Sequence, residues 1–428
     1  IFIMKIFKNK KRKYIIVTSL VSTFVVTVLI IAYYNSIPKE EPLIGAYIDG
    51  TYSKSLPAKG SGYTVEKIVC DNNKNASWDY NKWGIKLSNW ETRSRCNIYF
   101  KSLETIVIVN KTFYLDETQR CPAMNSDGTV TVTGSEDTYG YLCKAKDAYG
   151  DSYYYRGNVT NNYVLFAGKY WRIIRYNGDG TVRVIYDGTS AYANGESSTD
   201  RQIGTSVFNS SYKDNAYVGY MYGKTGASTY SATHANTNNS TIKTYLDTWY
   251  ENNIKGTTNE QYIADNIFCN DRSFASNNSG TGVGTSNTSY RWYYFKNYSN
   301  NNKIMLTCPQ KNDAFTVNDT SNGNGALTYG VGLVTADEAV LAGCWSSYNS
   351  YYYLYSGEDY WTMSPHVFYD NSAGERYVYS NGGADGDGLA DYYYRVNRTY
   401  GARPVFNLKS EVLLQGTGTA SDPYHFAS

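Results

Sequence analysis

The chain has 428 residues, a formal net charge of +2 and only 18% charged residues, yet 47 of its residues are Tyr. That length suits an anchor plus two or three folded units and excludes a single small domain. Balanced charge without a basic stripe excludes the electrostatic footprint of a nucleic-acid binder, and abundant Gly, Asn, Ser and Thr indicate a β-rich extracellular protein.

Lys5, Lys8, Lys10, Lys11, Arg12 and Lys13 precede Tyr14–Tyr34, a run of 21 residues without a charge. Such a run is expected to cross a bilayer as a helix, leaving residues 1–13 as a cytoplasmic basic tail and the rest of the chain outside the cell membrane. A cleaved signal peptide is the competing reading. The run exceeds an ordinary signal-peptide core and Ala32-Tyr33-Tyr34 makes a poor cleavage site, so an uncleaved anchor is expected.

All seven Cys follow this segment, and in an exported chain they read as disulfide partners. Pairing nearest neighbours joins Cys70 to Cys96, Cys121 to Cys143 and Cys269 to Cys308, with Cys344 left over; spacing alone does not fix this connectivity. No Cys-x-x-Cys occurs and the three His are isolated, so neither a metal site nor a cofactor is indicated.

Residues 45–115 are expected to form a small β-sandwich-like domain. Tyr63–Val69 and Gly84–Leu87 alternate, Asn97–Phe100 resembles a further strand, and Trp78 and Trp83 supply a core. Residues 116–160 look like a loop-rich connector with one hairpin signal at Asn125-Ser126-Asp127-Gly128. The clearest β segment follows: Asn162–Phe166, Tyr170–Tyr176 and Thr181–Tyr186, joined at Ala167-Gly168 and Asn177-Gly178-Asp179-Gly180, predict a three-stranded meander. Ser240 is placed to cap a helix carrying Ile242, Leu246, Trp249 and Tyr250, and a second short helix is expected over Tyr262–Phe268. Thr335 and Glu338 form a capping box for a helix that stops at Gly343.

Trp345–Tyr400 then changes character: 30 of its 56 residues are Tyr, Ser, Gly or Asn, and Lys is absent. Tyr offers a large amphipathic contact surface at low entropy cost, while Ser, Gly and Asn supply adaptable hydrogen bonding. An AT-rich genome would also raise Tyr and Asn, but it would raise Lys too. A ligand-binding surface is therefore expected, carried by Tyr348, Tyr351, Tyr353, His366, Phe368, Tyr369, Asp370, Asn371, Tyr392, Tyr393, Tyr394, Arg395, Asn397 and Arg398. No arrangement for nucleophilic or acid–base catalysis is evident, and no catalytic residue is assigned.

The ordered set Tyr170-Trp171-Arg172-Ile173-Ile174, Gly332–Glu338, Tyr360-Trp361-Thr362-Met363-Ser364-Pro365 and Gly401–Leu408 resembles an uncharacterised family of membrane-anchored surface proteins of low-GC Gram-positive bacteria. The last region, with its Trp and Gly-x-Arg-Pro frames, is also similar to C-type-lectin-like domains related to the formylglycine-generating enzyme. That resemblance implies an α+β chain: a transmembrane helix, a small all-β domain and a C-type-lectin-like domain over 161–428. It makes Trp361 and Arg403 framework residues and the loops between them the binding face. Some proteins of that fold are variable targets of diversity-generating retroelements, in which adenine mutagenesis turns Asn codons into Tyr, Ser, Asp, Gly, His, Arg, Phe or Cys; the stretch fits that list. The expected function is adhesion or ligand binding, with an extracellular protein or glycan as partner. An enzyme related to the formylglycine-generating enzyme and a structural envelope protein are the alternatives. The enzyme would want paired reactive Cys, and the last region offers Cys344.

Overall fold

A computed structural model describes residues 22–28, 43–71, 75–88, 95–116, 118–293, 303–345, 348–383 and 395–427. These residues are mostly β-sheet, which corrects the expected α+β class. Of the expected span Tyr14–Tyr34, only α1 (22–28) is described and the remainder lies outside the described residues. No helix among the described residues is long and apolar enough to cross a membrane, so the expected transmembrane helix is not supported. The three disulfides join the expected pairs and fit an extracellular or secreted protein. Cys344 is buried and donates its thiol hydrogen bond to the Gly382 carbonyl at 3.3 Å.

The chain divides into two units, 1–102 and 103–428. In the first, β1 (Leu43–Ile48), β2 (Thr51–Ser53), β3 (Tyr63–Cys70) and β6 (Arg95–Ser102) make a sheet in the order β2-β1-β6-β3, beside a hairpin of β4 (Asn75–Asp79) and β5 (Gly84–Ser88). Its core is Ala46, Val65, Ile98 and Phe100, against which Trp78 and Trp83 pack, as expected of a unit this small. Cys70 and Cys96 are register partners on β3 and β6, so the disulfide staples a pair that the ladder already aligns.

The second unit opens with a hairpin of β7 (Thr105–Ile108) and β8 (Lys111–Tyr114). Its main sheet runs β9 (Gly140–Asp147), β10 (Gly150–Gly157), β12 (Lys169–Tyr176), β13 (Val182–Gly188) and β19 (Val405–Leu408), with β11 (Tyr163–Phe166) also on β12. The predicted meander is β11-β12-β13. The expected connector at 116–160 instead carries β9 and β10, eight residues each, closed by Ala148 and Tyr149 with Gly150 at φ 137°. A second sheet runs β14 (Thr205–Val207), β18 (Thr399–Gly401), β16 (Tyr360–Tyr369) and β15 (Thr288–Ser289), with β17 (Ser372–Val378) on β16.

Besides α2 (Tyr230–Thr233), this unit has α3 (Thr241–Asn253), capped by Ser240 and burying Ile242, Leu246 and Tyr250. It also has α4 (Ala336–Ala342), where the Thr335–Glu338 capping box forms. The helix expected over Tyr262–Phe268 does not form. Ala264 N donates to Asn407 O at 2.7 Å, and the Asp265 carboxylate accepts from Val317, Asn318 and Asp319 N–H, so tertiary partners hold this segment extended. One core joins the sheets and α3, with Trp171 stacked on Phe406 at 4.9 Å.

Candidate functional site

The Tyr-rich stretch is built on the β16–β17 hairpin, which runs from the pair Tyr360–Val378 to the pair Tyr369–Ser372. Asp370 and Asn371, at φ 47° and 52°, make the two-residue turn that a hairpin favours. Tyr369, Asp370 and Asn371 are exposed there. Ala373 N donates to Tyr212 O at 2.8 Å and Val396 N to Ala373 O at 3.1 Å, which brings half-buried Arg395 and Asn397 and exposed Arg398 to the same end. At the other end Asn349 N donates to Asn381 O at 3.2 Å, and Tyr348 and Tyr351 are 68% and 55% exposed. The ten-residue strand β16 separates the ends, about 30 Å at the usual rise. The exposed and half-buried predicted contact residues therefore fall in two patches.

Three other predicted contact residues are core residues. Tyr353 and Phe368 have no exposed surface, and His366 is buried. Tyr353 donates its hydroxyl to the Tyr155 carbonyl at 3.3 Å. Burial, reinforced by the charge of Arg376, pushes the His366 imidazole well below its usual pKa, so it stays neutral. Tyr392, Tyr393 and Tyr394 lie outside the described residues. Of the ten described Tyr in Trp345–Tyr400, five are buried and three exposed, so much of the enrichment serves packing. A phenol can do this because its ring fills space while its hydroxyl reaches a backbone carbonyl.

Buried arginines fix the base of the Tyr348–Tyr351 patch. Asp187 accepts from Arg201 Nε and Arg403 Nη2, both at 2.8 Å, and Arg172 Nη1 lies 3.8 Å from its other oxygen; all four side chains are fully buried. Arg201 Nη2 also donates to Tyr353 O at 3.3 Å and Arg403 Nη1 to Leu354 O at 2.7 Å. Asn349 Nδ2 bonds the Glu136 and Gly343 carbonyls, and Asn349 Oδ1 accepts from Tyr351 N at 3.1 Å. The two exposed phenols thus project from a pinned backbone.

A separate pocket of about 370 Å³, counted out to its open mouth, is lined by Arg175, Arg183, Ile267, Cys269, Asp271, Arg291, Met305, Leu306, Thr307, Thr335, Asp337, Glu338 and Ser364. Burial would raise the Glu338 carboxyl, but Arg183 and Arg175 hold it below its usual value. Burial lowers the Arg183 guanidinium to about 10 against the pull of Glu338. None of these residues figured in the expected site. The available signal was charge inside apolar strand runs, as in Trp171-Arg172-Ile173-Ile174-Arg175, where a guanidinium can only be buried if it is paired. Among the described residues, no group of three or more His, Cys, Asp or Glu side chains is placed to hold a metal ion.

No family model, curated protein or solved structure matches the chain. The family and fold resemblances accordingly rest on the sequence motifs alone.

Proposed function

We propose that this is an extracellular binding protein that engages a glycan or protein ligand through Tyr348 and Tyr351 and catalyses no reaction. The observation that carries the reading is the mounting of those two rings. Each is more than half exposed, while Asn349 between them and Tyr352, Tyr353 and Leu354 after them are buried. Exposed aromatic rings on a pre-ordered backbone bind with little further loss of entropy, and Tyr stacks on sugar rings as readily as it packs against protein.

The test is a glycan array and a cell-surface protein array probed with the full chain and with a Tyr348→Ser/Tyr351→Ser double variant. The wild-type chain is expected to give specific hits that the double variant loses at least tenfold, with an unchanged unfolding midpoint. Uniform silence of the wild-type chain on both arrays would overturn the proposal in favour of a structural role.

A further inference from the structure

We propose that the pocket between α4 and the Cys269–Cys308 loop binds the acetamido group of an N-acetylated amino sugar. The inference rests on which hydrogen-bonding groups of the pocket are already used, and is independent of the tyrosine patches. Asp337 accepts from Arg291 Nη1 and Nη2, Trp292 Nε1 and Met305 N. Asp271 accepts from Arg291 Nε and from Ser273 N and Oγ. Glu338 accepts from Arg175 Nε, Arg183 Nη2 and Thr335 N. A cation entering the pocket would have to displace one of these donors.

An anion is opposed as well. Counting Asp147, which holds Arg175 at 2.7 Å, four carboxylates face the guanidinium groups of Arg175, Arg183 and Arg291. The remaining capacity is for donation to a neutral acceptor. Arg175 uses Nε on Glu338 and Nη1 on Asp147 and Ser152, whereas its Nη2 meets no acceptor among the described residues, although the side chain is only 5% exposed. Ser364 Oγ and Thr335 Oγ1 each accept a backbone N–H, from Ala336 at 2.9 Å and from Glu338 at 3.1 Å, and each hydroxyl keeps its proton to give.

Ile267, Met305 and Leu306 line the same pocket and offer an apolar wall. A carbonyl oxygen with a methyl group beside it satisfies both halves, and in a disulfide-bonded extracellular chain the acetamido group of an amino sugar carries that pair. No bond is made or broken in this binding.

Saturation-transfer NMR on the full chain with N-acetylglucosamine, glucosamine, glucose and acetate tests the assignment. Transfer is expected to be strongest to the acetyl methyl and at least tenfold weaker with the three other probes. Thr307 is exposed at the pocket, and Thr307→Trp should abolish transfer with an unchanged unfolding temperature. Arg175→Lys should weaken it too; should that variant fail to fold, Thr307→Trp still decides. Absence of methyl transfer, equal transfer to acetate or glucosamine, or full transfer in Thr307→Trp would overturn the proposal. Equal transfer to an N-acetyl amino-acid amide would overturn the sugar assignment.

Discussion

Arg403 Nη2 donates to Asp187 Oδ1 at 2.8 Å between two side chains with no exposed surface. Arg172 and Arg201 share the same carboxylate, so one negative charge serves three buried guanidinium groups. The asymmetry sets the order of mutational costs. Asp187→Asn leaves three buried cations without a counter-charge and should cost about 3–5 kcal/mol. Arg403→Lys keeps a cation but abandons the carbonyls of Tyr186 and Leu354, and should cost about 1–3 kcal/mol. Urea unfolding of both variants checks this, and the reverse order would refute the view that Asp187 is the keystone.

Glu375 is fully buried on β17, and neither of its carboxyl oxygens has a hydrogen-bond partner among the described residues. Burial pushes this carboxyl well above its usual pKa, only partly opposed by Arg272, so the folded chain holds a proton that the unfolded chain releases above about pH 4.3. Stability from this group is therefore complete below that pH and is lost as pH rises towards the folded pKa. Relative to the wild type, Glu375→Gln should gain on the order of 1 kcal/mol per pH unit above about pH 4.5. The measurement is the difference in unfolding free energy between the two chains from pH 4 to 8; a difference independent of pH would show that the carboxyl is not buried in its neutral form.

His234 and His366 act in the opposite direction. Burial first, and then the charges of Arg272 and Arg376, lower their pKa values, to about 3 for His234 and well below the usual value for His366. Both rings stay neutral in the fold, whereas in the unfolded chain they take up protons below about pH 6.5. Their contribution is complete above that pH and falls as the solution is acidified. In a Glu375→Gln background, which removes the opposing carboxyl, stability should drop by roughly 1 kcal/mol per His per pH unit below about pH 6. Adding His234→Gln and His366→Gln should flatten that slope, and an unaltered slope would assign acid sensitivity to other groups.

The parts of the fold that were legible in the sequence are those set by local chemistry. Asn177-Gly178-Asp179-Gly180 makes its turn, Ser240 caps α3, and Thr335 with Glu338 boxes α4. Tyr351 and Tyr353 show what was not legible: they have the same side chain two positions apart, yet one is 55% exposed and the other fully buried. The difference is imposed by Arg201 and Arg403, which hold the Tyr353 and Leu354 carbonyls from distant points of the chain. The pocket was hidden for a similar reason, because Arg175, Arg291 and Glu338 converge only through tertiary pairing.

Exposure also predicts where the Tyr-rich stretch can vary. Substitutions at exposed Tyr348, Tyr351, Tyr369 and Arg398 should change stability by about 0.5 kcal/mol or less, while Phe368→Ala should cost about 3–5 kcal/mol. Asp370 and Asn371 are exposed but sit at positive φ, where Asn, Asp and Gly are tolerated and β-branched residues are strained. If adenine-directed mutagenesis diversifies this surface, sister isolates should differ at 348, 351, 369 and 398, keep to Asn, Asp and Gly at 370 and 371, and leave Tyr353, His366 and Phe368 unchanged. Sequencing the locus across isolates checks this, because changes spread evenly along the gene, or concentrated at the three buried positions, are incompatible with a diversified binding face on this hairpin.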